Sequence, residues 1–372
     1  MGQERWKLAG GELAEKSVRL QGFLEQRDAA GVLLRKTQNI LWATAGIADV
    51  RLLGPSETGV ASLLILRDGR RFFLSGSNEA ERLATEEFDG SGYEQASWPW
   101  QKDALADEVA RLTKGGLVLA DTPGGAFAAT DLAGLQSPLT LGELDCFRAL
   151  GRLAAEAVSE VLDGLEPGMT EVAMKARMAA ACLDRNLEPS VLLIAADERI
   201  MHYRHAVTRD GVLRKYGMLN LCARRWGLCV SLTRYVHFGP LPVELEERFA
   251  AVPKVQAALY DASRPGASSA ELYRAAAEAY AAVGFSGEEN AHHQGGPAGY
   301  GERIWVALPD GQQKLTNGLA LAWNPSIQGA KVEDTVLLVD GKIEPITQTL
   351  TLPMVHTQVG GKAYASAGVL LR

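Results

Sequence analysis

The stretch Arg204–Phe238, RHAVTRDGVLRKYGMLNLCARRWGLCVSLTRYVHF, holds the residues of this sequence best suited to chemistry. It opens on a histidine-bearing loop and continues as two strands joined by a tight turn. An imidazole with a pKa near 6.5 exchanges protons at neutral pH, so His205 can take a proton from water or substrate and return it to a leaving group. Polar side chains stand in the strands where apolar ones are expected: Asn220 and Cys222 on one face of the first, Ser231 and Thr233 on one face of the second. Buried polar groups need partners, and a bound polar ligand would supply them. Arginines crowd the same region (Arg204, Arg209, Arg234 and, further on, Arg303); most fit a solvated or internally paired role, and one or two aimed into a cleft would grip a substrate carboxylate.

The elements that must position these residues follow from the rest of the chain. At 372 residues it is long enough for two domains. The apolar fraction of 47% and charged fraction of 22% are those of an ordinary globular protein. A net charge of −7, with no basic block, argues against a nucleic-acid partner. The N-terminus lacks the apolar core of a signal peptide and no run approaches the ~18 apolar residues of a membrane span, so a cytoplasmic protein without a membrane partner is expected. The four cysteines follow no CxxC spacing and read as free thiols. Cys222 and Cys229 flank the hairpin turn; small buried fillers are the plainer reading, a nucleophile or soft-metal pair the other.

Residues 1–138 read as an alternating α/β domain. Helical spacing over 11–28 is followed by the buried strand AGVLLRK, a hairpin around Asp68-Gly69, a helix over Asn78–Glu87, a strand near Tyr93–Trp98, a helix over Lys102–Thr113 and the strand GLVLAD. It contains no glycine-rich phosphate loop. Residues 139–372 open with a long helix closed by Pro167-Gly168. Thr170 then caps a second helix that carries Glu171 in its first turn, where the helix dipole favours a negative charge. Strand SVLLIAA leads into the histidine loop. Helices around Glu244–Ala262 and Ser269–Ala282, the polar loop GEENAHHQGGPAGYGER, and the strands GLALAWNPSIQ and GAKVEDTVLLVDGKIEPI complete the chain. This order predicts an α+β domain in which helices back a curved antiparallel sheet.

Together these motifs resemble the pita-bread fold of methionine aminopeptidase, aminopeptidase P, prolidase and creatinase, and the first domain is similar to the N-terminal domain of the last three. In the metallopeptidases of that group two Asp, one His and two Glu hold two divalent metals around an activated water, a carboxylate-rich set suited to hard or borderline ions. The resemblance places those positions one by one. The strand motif LIDFG reads LNLCA here, giving Asn220, and SDITR reads VSLTR, giving Ser231. GHGIG corresponds to HHQGG, leaving His293, EPG corresponds to NPS, giving Asn324, and the last motif, VEDT, is intact around Glu333. Three anionic ligands of five are replaced by neutral side chains, so no metal and no other cofactor is expected.

Metal-free creatinase also carries Asn at the first position, and its catalytic histidine motif HNPVT is matched by His205-Ala206-Val207-Thr208. The resemblance implies His205 as general acid and base; Glu333 would orient a partner of His205, bind a cation or act as the second acid/base group, and His293, without a metal, would donate a hydrogen bond to substrate or to a developing oxyanion. Asn220, Ser231, Thr233 and Asn324 would line the substrate pocket. Thr233 replaces a glutamate that clamps the creatine guanidinium, which makes creatine itself a poor fit. Tyr300 falls where the peptidases carry a second histidine, whereas His292 is read as facing elsewhere and structural. The resemblance further implies a homodimer, with Arg51 from the neighbouring subunit closing the site on a small-molecule substrate. The function expected is metal-independent, creatinase-like hydrolysis of a C–N bond in a small carboxylate-bearing amino-acid derivative. An aminopeptidase P or prolidase relative with a reduced metal site, a peptide- or protein-binding pseudoenzyme, and an elimination reaction using the same histidine stay open.

Overall fold

The computed structural model describes residues 2–52, 54, 56–122, 124–348 and 352–372. The chain divides into two compact units, Met1–Glu143 and Leu144–Arg372. In the first, the apolar run at Gly31–Lys36 becomes an inner strand of a six-stranded sheet. It pairs antiparallel with Thr58–Leu66 and parallel with Val118–Ala120. The Asp68-Gly69 turn leads to Arg71–Gly76, and helix Ser77–Arg82 with its π-helical continuation Leu83–Glu87 makes the crossover to the parallel edge strand Glu94–Trp98. The next helix starts at Leu105, later than its apolar spacing suggests, because the Asp103 carboxylate accepts the Leu105 N–H at 3.0 Å and turns the chain before it.

The second unit carries two four-stranded sheets. One runs Gly295–Ala298, Leu319–Trp323, Asp334–Val339, Lys342–Pro345, all antiparallel. The other is built on Tyr216–Arg225 and Leu228–His237, with Glu188–Ala196 antiparallel on one side. Val369–Leu371 pairs parallel on the other side, and a hairpin of Met354–Val359 with Lys362–Ala367 precedes it. Neither this last hairpin nor the parallel strand is anticipated from the sequence. The two sheets touch at the bridge between Thr233 and Glu333. Helix Val243–Ala262 and helix Ser269–Ala282 back them, the latter held by a complete Ser268/Glu271 capping box. Phe249, Leu259, Tyr280 and Trp323 belong to one buried apolar cluster spanning helices and strands. Among the described residues no helix is long and apolar enough to cross a membrane.

Two local features set the site's geometry. The hairpin turn takes positive φ at Trp226 (54°) and Gly227 (80°), which fixes a register with Asn220 opposite Thr233 and Cys222 opposite Ser231. In HHQGG, a Cβ on Gly295 would lie 2.1 Å from the Ala322 carbonyl oxygen and one on Gly296 would lie 2.0 Å from that of Trp305. These glycines therefore let the strand Gly295–Ala298 lie close to its neighbour Leu319–Trp323 and to the loop at Trp305, rather than letting the backbone approach a ligand.

Candidate active site

Glu333 is the centre of the hairpin's polar face. Its carboxylate is buried and accepts hydrogen bonds at Oε2 from Asn220 Nδ2 (2.6 Å) and Thr233 Oγ1 (2.7 Å). Lys331 Nζ lies 3.0 Å from the same oxygen, and Arg303 Nη2 lies 3.2 Å from Oε1. Arg303 Nη1 also donates to Ser231 Oγ (3.1 Å). Burial alone would raise the Glu333 pKa, but the charges of Lys331 and Arg303 and the Thr233 hydroxyl outweigh it and bring it down to about 2. The group is an anion throughout the physiological range.

Asn220, Ser231 and Thr233, expected to line the substrate pocket, are engaged with neighbouring side chains. Asn220 Nδ2 and the Thr233 hydroxyl donate to Glu333, and Ser231 Oγ accepts from Arg303 and lies 3.2 Å from Cys222 Sγ. Cys222 and Cys229 are buried free thiols. Arg234 is buried in an ion pair with Asp334 at 2.6 Å, and Arg204 pairs with Glu288. Tyr300 is buried at 2% exposure, and the side chain that reaches Ser231 and Glu333 from its loop is Arg303. Asn324 is buried and its Oδ1 has no hydrogen-bond partner among the described residues, as is true of Arg303 Nε. Arg51, in the first unit, is held within its own loop by Asp49 (2.6 Å) and the Gly54 carbonyl (3.2 Å).

Lys331, beside the intact VEDT motif, is buried against Glu333, and nothing in its sequence context marks that charge as pointing inward. His292, expected to face elsewhere, instead meets His205. The His292 ring lies edge-on to His205, and their Nε2 atoms are 3.0 Å apart. Nδ1 of His292 sits 3.0 Å from Ser326 Oγ, which accepts from Arg204 Nη1 at 2.9 Å. His293 packs against His292 with ring centroids 4.7 Å apart. The neighbouring pattern HH was the available signal, because a turn out of regular strand lets consecutive side chains share one side.

Burial and the Lys331 charge push the His205 pKa down, with Glu333 opposing. Burial, Lys331 and the other two imidazoles bring His292 to about 2, while burial and the Arg303 charge bring His293 to about 4. A base whose folded pKa is lowered stays neutral in the fold while the unfolded chain binds its proton, so stability falls as pH drops below about 6.5. For buried His292 the slope reaches about 1.4 kcal/mol per pH unit between pH 6 and 4. Urea midpoints at pH 7, 6, 5 and 4 should therefore decline more steeply for the wild type than for His292→Gln; equal slopes would contradict this.

The loop bearing His205 is fixed from below by Glu171. Its buried carboxylate accepts from Ala196 N (3.0 Å), Arg199 Nε (2.9 Å) and Arg209 N (2.7 Å), so its role is to anchor the loop, beyond any favourable interaction with its helix dipole. Glu171→Ala strands two backbone donors and a guanidinium. A loss of about 2–4 kcal/mol in unfolding free energy is expected, measured by urea titration.

The family model for metallopeptidase family M24 matches residues 145–340, more than half of the 372-residue chain. The chain belongs to metallopeptidase family M24. No curated protein matches its sequence. Solved structures of the same fold include the Xaa-Pro dipeptidase from Bacillus anthracis, at a TM-score of 0.73 and 18% identity over 91% of this chain and 98% of that one. The dipeptidase PepE from Mycobacterium ulcerans aligns at 0.74 and 18% over 97% and 98%. The N-terminal domain of a FACT complex subunit from chickpea, Cicer arietinum, aligns at 0.68 and 13% over 90% and 96%. At such identities the likeness is one of fold, and it is the pita-bread fold that the motifs implied.

The residues of this M24 chain do not fit the dinuclear metal centre of the resembled peptidases. Of the five positions only Glu333 is a carboxylate, and both of its oxygens already face side-chain cations within 3.2 Å. Two divalent ions there would meet Lys331 and Arg303 with no further anion among the five positions to offset them.

Proposed function

We propose that this M24 chain is a hydrolase of an amide-type C–N bond in a small, carboxylate-bearing amino-acid derivative or dipeptide, and that it works without the dinuclear centre. The observation that carries this reading is the relay from Ser326 through His292 to His205, set beside a carboxylate that already holds two cations. Ser326 Oγ has a lone pair left for His292 Nδ1–H after accepting from Arg204. In that tautomer His292 Nε2 accepts His205 Nε2–H, and His205 Nδ1 keeps a free lone pair. His205 then takes a proton from the attacking water at Nδ1 and returns it to the leaving amine. Arg303 and Lys331 offset the negative charge that develops on the carbonyl oxygen. The unpartnered Arg303 Nε is a donor for a substrate oxygen and Asn324 Oδ1 an acceptor for a substrate N–H.

A second reading, a metal-dependent dipeptidase, is favoured by what the neighbours are: an Xaa-Pro dipeptidase and a dipeptidase share this fold over 98% of their lengths. One experiment separates the two. The purified protein is assayed on Xaa-Pro dipeptides and on N-acyl, N-carbamoyl and guanidino derivatives of amino acids, before and after dialysis against a strong chelator. The proposal expects turnover that survives the chelator. Activity that vanishes and returns only with added manganese, cobalt or zinc establishes the second reading instead.

A further inference from the structure

Three of the chain's six histidines converge on one point. Ligand-capable nitrogens of His205, His292 and His293 all lie within 4.8 Å of one another. The Nε2 atoms of His205 and His292 are 3.0 Å apart, a separation that calls for something positive between them, either one shared proton or one cation. Two imidazoles bound to a single ion at about 2.0–2.1 Å stand roughly this far apart. The second ring nitrogen of His292 is already oriented by Ser326 Oγ, itself held by Arg204, which is the outer support that metal-binding imidazoles use. His205 and His293 are exposed, so an ion has a way in.

We propose that His205, His292 and His293 form a three-imidazole site for one borderline divalent cation, zinc foremost, separate from the carboxylate position at Glu333. Neutral nitrogen ligands suit zinc, nickel, cobalt and copper, whereas magnesium, calcium and manganese need the anionic oxygens this cluster lacks. Lys331 and Arg303 weaken the site and Glu333 offsets one of them, which further disfavours ions that bind by charge alone. The consequence for activity rests on the hydrolase reading above: an ion held here takes His205 out of proton transfer, so zinc inhibits, the opposite of its effect on a metallopeptidase.

The test is binding first. Wild-type protein is incubated with zinc, cobalt, magnesium or manganese chloride, desalted and analysed for metal, and the zinc-loaded sample is examined by X-ray absorption. About one equivalent of zinc or cobalt, none of magnesium or manganese, and a zinc shell of three imidazole nitrogens support the site. Binding should fall at least tenfold in both His292→Ala and His293→Ala, with circular dichroism confirming that each folds. No retained zinc, a shell dominated by carboxylate oxygen or by sulfur, or unchanged binding in both variants overturns it. The wild-type absorption spectrum decides the matter even where a variant fails to fold. Zinc bound by three imidazoles with turnover raised rather than lowered upholds the site and refutes the base role of His205, so the two readings fail separately.

Discussion

His205→Ala should lower kcat by about 10²–10⁴-fold while leaving the urea midpoint near that of the wild type, since removing a positioned general base costs about that much and His205 is an exposed residue. KM should change little, because in the proposed mechanism the imidazole acts on the water rather than on the substrate's binding groups. The pH profile is the readout a structural role would not move. As the proposed base His205 must be neutral to act, and its pKa is lowered by partial burial of the ring and by Lys331, so kcat/KM should rise with pH along a limb below 6.5 and then stay flat through pH 8. A variant retaining more than a tenth of wild-type turnover would place the proton transfer elsewhere, with His293 the next candidate.

The largest effect on stability is expected from Glu333→Gln. Lys331 and Arg303 would then face a neutral amide in a buried site, and breaking a buried pair in this way costs about 3–5 kcal/mol. The carboxyl is held near pKa 2, below its unfolded value, so its contribution is fully present above about pH 4.5 and is lost only as the pH falls through about 2. The difference between Glu333→Gln and wild type should accordingly be constant from pH 6.5 to 8, unlike the histidine effect, which grows below 6.5. Adding Lys331→Met to Glu333→Gln removes one stranded cation and should recover part of the loss. If the single variant unfolds at the wild-type midpoint, the two cations are held by something other than this carboxylate.

Most of the elements could be read from local pattern. The strand at Gly31–Lys36 is a short apolar run, and the hairpin at Asp68-Gly69 follows from turn chemistry. Thr170 does cap helix Glu171–Leu183, its Oγ1 accepting from Ala173 N. The C-terminal hairpin was less legible because its strands are half exposed, so their apolar alternation is weak. The Asn324 motif told which side chain stands at a family position but not that its Oδ1 would have no partner.

What the sequence by itself determined was membership of a fold and the chemistry available at its motif positions, because both live in the identity of residues: Asn220, Ser231 and Asn324 are neutral wherever they point. Which side chains meet Glu333 was decided only in three dimensions. Lys331 lies two residues from Glu333 and Arg303 thirty, and each charge could as readily have been solvated. Burial of Glu333 between two sheets forces them onto it, since a lone carboxylate out of water is far costlier than a paired one. The pairing of His292 with His205, 87 residues apart, has the same origin. Sequence spacing measures distance along the chain, whereas proton transfer and ion binding depend on distances of about 3 Å through space, which only the packing of the two sheets brings about.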